Sequence, residues 1–166
     1  MTNKNLEKIF SEKVIESQGI IHKVCRMYCD NPEHRKDLFQ EKLIQLWKSY
    51  PSFRNESKFS TWMYRVALNV AIQDLRKTKK KNTLFFQTNQ FKEKFEQNDT
   101  SIENEKLAQM YKAISHLNKV EKAIIMLYLE NKKNDEIAEI IGITQNYVRV
   151  KMNRIKIKLT KTVNNE

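Results

Sequence analysis

Two glycines and two prolines in 166 residues leave this chain few means of turning sharply. Sheet proteins need many such residues, because glycine supplies positive φ at hairpins and proline presets the backbone of a turn. The shortage predicts an all-α fold with no sheet. Apolar residues recur at helical spacing in two blocks, residues 1–78 and 107–166. Between them, residues 79–106 change sign: Arg76, Lys77, Lys79, Lys80 and Lys81 give way to Glu96, Asp99, Glu103 and Glu105. A stretch so polar buries little. The expectation is two small helical domains joined by a flexible linker. The linker aromatics Phe85, Phe86, Phe91 and Phe95 call for a surface, on one of the blocks or on a partner.

The second block ends in a helix-turn-helix pattern. A short helix over 134–141 runs into Gly142, which can adopt the left-handed conformation that stops it, and Thr144 can cap a second helix reaching about residue 161. On that helix Val148, Met152, Ile155 and Leu159 form one stripe, and Arg149, Lys151, Arg154, Lys156 and Lys158 surround the rest. An amphipathic helix without an acidic residue on its wet side suits a polyanion, and a tight turn before it suits entry into a DNA major groove. The net charge of +11 agrees with a nucleic-acid partner.

In the first block, a helix over about 36–50 places Phe39, Leu43, Leu46, Trp47 and Tyr50 on a core stripe. Asp37, Gln40, Glu41, Ile44 and Lys48 lie on the opposite one. A partly acidic stripe with an isolated aliphatic in a basic protein fits protein docking, and a solvated face fits as well. The next helix, from near 60 to about 77, is apolar nearly all round. Its one wet stripe holds Trp62, Arg65, Asn69, Gln73 and Arg76, a set of an aromatic plane, guanidinium groups and amides that can hold phosphates and unstacked bases. Pro51 ends the helix before it, Ser60 is placed to cap it, and the loop between interleaves aromatics with charges.

Other chemistry is poorly served. His22, Cys25 and Cys29 share a helical face, but three candidate ligands on an apolar stretch fit packing better than a metal, so no metal or cofactor is expected. Cysteines four apart on one helix suit a reducing compartment. No apolar run approaches a membrane span and the N-terminus is unlike a secretory signal, so a cytoplasmic protein without membrane insertion is expected.

These motifs together resemble the bacterial RNA polymerase sigma factors, specifically the two-domain extracytoplasmic-function group. Asp37-Leu38-Phe39-Gln40-Glu41 followed by Trp47 resembles the family's core-polymerase-binding helix, and the run from Phe53 to Asn69 its promoter-melting segment. Asp135 to Ile143, followed by Val148 to Arg154, resembles its upstream-element reader. The resemblance implies a non-enzyme whose Asp37, Gln40, Glu41 and Ile44 bind the clamp helices of the largest subunit of core RNA polymerase. Phe53, Arg54, Asn55, Trp62, Arg65, Asn69 and Arg76 would capture the melted strand of the downstream promoter element. Thr144, Gln145, Asn146, Tyr147, Arg149, Val150, Lys151, Arg154 and Lys156 would bind the duplex upstream element. An anti-sigma factor, a common partner in the family, would occlude the docking stripe.

The sequence departs from the family pattern in places. Asn118 stands where proline usually follows the leucine, and Lys133 where Ser or Thr often caps, so that either Asn134 does the capping or the helix begins less firmly. Gln73 replaces a frequent Asp. Asn146-Tyr147 replaces a common Gly-Thr and puts a ring at the DNA-facing end. The main competing reading is a helix-turn-helix repressor or activator with a sensor or dimerisation block, and the weakest is a small nuclease or metal hydrolase. His22, His34 and His116 are scattered, and no glycine-rich phosphate loop exists.

Overall fold

The computed structural model describes residues 2–69 and 102–165, which contain seven α-helices, a short 3₁₀ turn and no strand. Gln73, Arg76 and the linker aromatics lie outside the described residues. The chain forms two compact units.

The first unit comprises α1 (Asn3–Tyr28), α2 (Pro32–Ser49), a 3₁₀ turn (Tyr50–Ser52) and α3 (Phe59–Ala67). α2 starts earlier than its apolar stripe suggests, because its cap and not its hydrophobic face decides the start. The Asn31 side chain accepts hydrogen bonds from the Glu33 and His34 amides at 2.9 and 3.3 Å, and Pro32 occupies the first turn, where its missing N–H costs nothing. Arg35 closes the corner by donating from Nε to the Cys29 carbonyl (2.6 Å) and from Nη2 to that of Asp30 (2.8 Å). The three helices pack on one another around Phe10, Val14, Ile21, Cys25, Leu46, Tyr50 and Met63.

Within this unit Lys42 is only 3% exposed, with Nζ 3.4 Å from Gln45 Oε1. Burial pulls its pKa below the usual lysine range, against the opposing pull of Glu41 and Cys25. Burial likewise pushes the Cys25 thiol up, with Lys42 pulling it partly back. α3 differs from expectation at its start. Lys58 occupies the N-cap without a side-chain cap bond, and Ser60, expected as the cap, is already inside the helix.

The second unit comprises α4 (Ile102–Ser115), α5 (Lys119–Leu129), α6 (Asn134–Ile141) and α7 (Gln145–Asn164). α7 packs on α4 and α5. Two helices end in the same way, one residue going left-handed while the amide after it reaches back across the last turn. For α5 this residue is Asn131 (φ 59°), with Lys132 N–H to the Leu127 carbonyl at 3.0 Å. For α6 it is Gly142 (φ 77°), with Ile143 N–H to the Ala138 carbonyl at 3.1 Å. Lys133 precedes α6, and its N–H is met by Glu136 Oε2 at 2.9 Å. Asn134 is therefore the first helical residue and not the cap that the sequence suggested.

Asn118, placed where the family pattern has proline, forms a reciprocal cap for α5. Its Oδ1 accepts from the Glu121 amide at 2.9 Å while its own N–H donates to Glu121 Oε2 at 3.2 Å. The other oxygen of this buried carboxylate, Oε1, accepts from Lys158 Nζ of α7 at 2.6 Å.

Glu121→Ala removes a cap and a charge-assisted hydrogen bond together, so it should cost about 2–3 kcal/mol in urea unfolding followed by helical signal. Lys158→Ala, whose side chain is half exposed, should cost less; equal losses would mean that the cap contributes nothing. Lys42 carries the opposite sign. Its folded pKa is lowered, so just below the usual lysine value of about 10.4 the unfolded chain holds more protons and stability rises with pH. Lys42→Met should keep or raise stability and flatten that rise, and an unchanged pH slope would show that the ammonium is not strained by burial.

Candidate nucleic-acid interface

Along α7 the buried Val148, Met152 and Ile155 face the unit's interior. Opposite them, at helical spacing, Asn146, Val150, Asn153 and Ile157 form an exposed ridge without charge. Arg149 and Lys156 flank this ridge on one side and Arg154 on the other, all exposed. Neutral groups at the centre with cations beside them match a groove, where base edges lie between two phosphate strands. Asn153 was not singled out from sequence; its place four residues before Ile157 and three after Val150 is the signal that locates it.

The helix is anchored at its start by Thr144, whose Oγ1 accepts from the Tyr147 amide at 3.1 Å. Tyr147 itself is half-buried and sits off the ridge, with Lys151 Nζ 5.8 Å from its ring centroid. Arg149 Nη2 donates to Asn146 Oδ1 at 2.6 Å, and Gln145 is exposed beside them. Lys156 Nζ lies 4.9 Å from the Tyr128 ring centroid, which draws it toward α5.

The loop into α3 is built on aromatics. Tyr50, Phe53, Phe59 and Trp62 form a cluster in which the Phe53 and Trp62 ring centroids are 5.1 Å apart and those of Phe59 and Trp62 5.3 Å. Lys13 Nζ stands 5.6 Å from the Phe53 ring centroid and 5.5 Å from that of Phe59. Phe53 and Trp62, singled out from sequence as strand contacts, are thus half-buried members of this aromatic cluster. Of the candidate strand contacts the exposed ones are Arg54 and Asn55 at the loop tip, where Asn55 takes φ 57° and Glu56 and Lys58 are exposed beside them, with Arg65 and Asn69 on and just after α3. Arg76 lies outside the described residues.

On α2, Asp37, Gln40, Glu41 and Ile44 are all exposed, Ile44 by 54%. Gln45 Nε2 donates to Glu41 Oε1 at 3.4 Å. The His22 ring stacks on Phe39 with centroids 4.5 Å apart, and Cys25 is buried in the core. Among the described residues no three of His, Cys, Asp and Glu gather as metal ligands, and no helix is long and apolar enough to cross a membrane.

Residues 14–81 match the sigma-70 region 2 family and residues 107–159 the sigma-70 region 4 family. The RNA polymerase sigma factor SigV of Bacillus subtilis is 30% identical over 139 residues, covering 81% of each chain. The ECF RNA polymerase sigma factor SigW of the same organism is 33% identical over 76 residues, 46% of this chain and 41% of that one. Among solved structures, the sigma factor RpoE in complex with the anti-sigma factor NepR from Bartonella quintana shares the fold at a TM-score of 0.67 and 15% identity, covering 95% of this chain and 98% of that one. CnrH in complex with the cytosolic domain of CnrY matches at 0.66 and 15%, covering 96% and 90%. With both family regions matched in order and a relative aligned over most of its length, the chain belongs to the extracytoplasmic-function group of the sigma-70 family, factors that bind RNA polymerase and direct promoter recognition and transcription initiation.

Proposed function

We propose that this sigma factor divides its task among three surfaces, with residues 1–78 serving core binding and promoter melting and residues 107–166 serving upstream recognition. The exposed α2 stripe of Asp37, Gln40, Glu41 and Ile44 docks on the clamp helices of the polymerase's largest subunit. Arg54, Asn55, Arg65 and Asn69 hold the displaced strand at the downstream element, with Phe53 and Trp62 as the apolar wall beside them and Arg76 farther along. α7 reads the upstream duplex through Gln145, Asn146, Arg149, Val150 and Lys151, while Arg154 and Lys156 contact phosphates and Thr144 and Tyr147 set the helix start.

The observation that carries this assignment is the uncharged ridge of α7 between cationic flanks, in a chain that also presents a separate, partly acidic stripe on another unit. A stand-alone repressor or activator explains the ridge but gives no role to that stripe. The protein acts without catalysing a reaction, and it works in the cytoplasm, where its polymerase is. An anti-sigma factor, like the NepR bound to RpoE in one structural relative, would inhibit by covering the α2 stripe.

Run-off transcription with added core polymerase tests the docking assignment. The parent should direct initiation, and Asp37→Ala, Gln40→Ala and Glu41→Ala together should lower affinity for core on the order of tenfold with helicity unchanged. A triple variant that binds core like the parent would refute it, and tight promoter binding by the parent alone would favour the repressor reading. For the strand-capturing surface, Arg65→Ala with Asn69→Ala should leave the closed complex intact while permanganate reactivity of downstream thymines disappears. Normal reactivity on duplex DNA would sink that role. Rescue on a template with a preformed bubble would locate the defect in melting, as distinct from holding the strand.

A further inference from the structure

Building on the assignment of α7 to the upstream duplex, we infer that Asn146 and Arg149 act as one donor-rich unit that selects guanine, with Asn146 as a positioning residue. The two exposed side chains lie one turn apart near the start of α7, joined by the 2.6 Å bond from Arg149 Nη2 to Asn146 Oδ1. A guanidinium has five donors and no acceptor, so the amide must turn its oxygen toward it. That fixes both partners.

An unengaged asparagine is suited to adenine, accepting from N6 while donating to N7. Here the oxygen is tied to Arg149, and an amide that sets both its oxygen and its NH₂ on adenine must share that oxygen or break the bond. Arg149 retains the N–H groups of its remaining edge. What the pair offers to a groove is therefore mostly donors, the remaining guanidinium N–H groups and the amide NH₂ against one spare lone pair on Oδ1. In the major groove guanine presents two acceptors, O6 and N7, whereas adenine and cytosine each expose an amino donor and thymine sets a methyl group beside its single acceptor. A donor-rich pair fits the two acceptors of guanine best, and meets an amino donor at adenine or cytosine and a single acceptor at thymine. Holding Arg149 in the free protein also lowers the cost of ordering a long side chain on binding. Val150, the next residue on the ridge, is 40% exposed and brings no hydrogen-bonding side chain that would compete for the same edge.

The test selects upstream elements from a randomised duplex library, using holoenzyme made from the full chain and core polymerase and sequencing the templates that are transcribed. The parent should prefer guanine at one position. Asn146→Ala and Arg149→Ala should each weaken that same position on the order of tenfold, and the double variant should be no worse than Arg149→Ala alone. Asn146→Asp should keep the guanine preference, because a carboxylate still accepts from Arg149, while lowering binding to all sequences. Arg154→Ala, a phosphate contact, should weaken all sequences alike. The pair is refuted if the two alanine variants relax different positions, if their losses add, or if Asn146→Ala weakens every sequence equally. If Arg149→Ala relaxes one position and Asn146→Ala none, only the pair falls. If neither variant changes the selected sequences, the assignment of α7 as the reader fails with it.

Discussion

The carboxylate of Glu121 joins the local demand of one helix to the placement of another. The first turn of any helix leaves amides without partners, and at α5 the Asn118 and Glu121 side chains meet two of them reciprocally. A carboxylate at a helix N-terminus is favoured by the helix dipole, which makes its burial tolerable. Its second oxygen then receives Lys158, so a charge needed for capping also fixes α7 against α5. The uncharged ridge of α7 can be aimed only if the helix behind it does not roll. Packing of Val148, Met152 and Ile155 sets the face, and the ion pair adds a directional constraint that apolar contacts lack.

Much of this was legible in the sequence because the signals were strong and local. Gly142 and Thr144 gave the turn and the cap of the helix-turn-helix as the structure has them, and the exposed α2 residues follow from a clear helical period. What escaped was carried by asparagine. Asn31 and Asn118 cap helices, Asn55 and Asn131 take positive φ, and Asn146 binds an arginine. One side chain serves all these ends, so its role depends on neighbours that a linear pattern does not reveal. Lys42 escaped for a similar reason. Its position on the helical wheel is ambiguous, and only the packing of three helices shows that it lies inside. Phe53 and Trp62 were legible as aromatic but not as partners of each other, since that pairing crosses the loop.

The charge distribution separates affinity from selectivity. A net charge of +11 draws the protein to DNA of any sequence. Screening over about 8 Å at physiological salt weakens remote charges, so cations immediately beside the groove dominate the contact. Cations alone cannot distinguish one promoter from another. On the proposed assignment, the groups that can are the neutral ones between them, Asn146, Val150 and Asn153, together with the arginine that Asn146 holds. With Arg154 and Lys156 on the flanks and uncharged side chains at the centre, salt-sensitive attraction and base discrimination occupy one helix, and Arg149, held at the edge of the ridge by Asn146, serves both.

On the proposed assignment, no surface of the molecule needs to bind tightly by itself. A single recognition helix with a few base contacts gives modest discrimination, and a loop holding unstacked bases must first offset the cost of opening the duplex. The roughly 23 residues from 79 to the start of α4 can span at most about 75 Å at about 3.3 Å per residue, still more than two helical turns of DNA at about 35 Å each, so sequence length permits both elements to be engaged at once. Linking converts the second contact into an intramolecular one, whose strength depends on whether the sites are held at a reachable separation. Core polymerase can supply that separation by holding the α2 stripe of the first unit. Promoter selectivity then belongs to the assembled complex, and weak individual faces are an advantage, because a free factor that bound DNA tightly would be lost to the excess of non-specific sites before it met its polymerase.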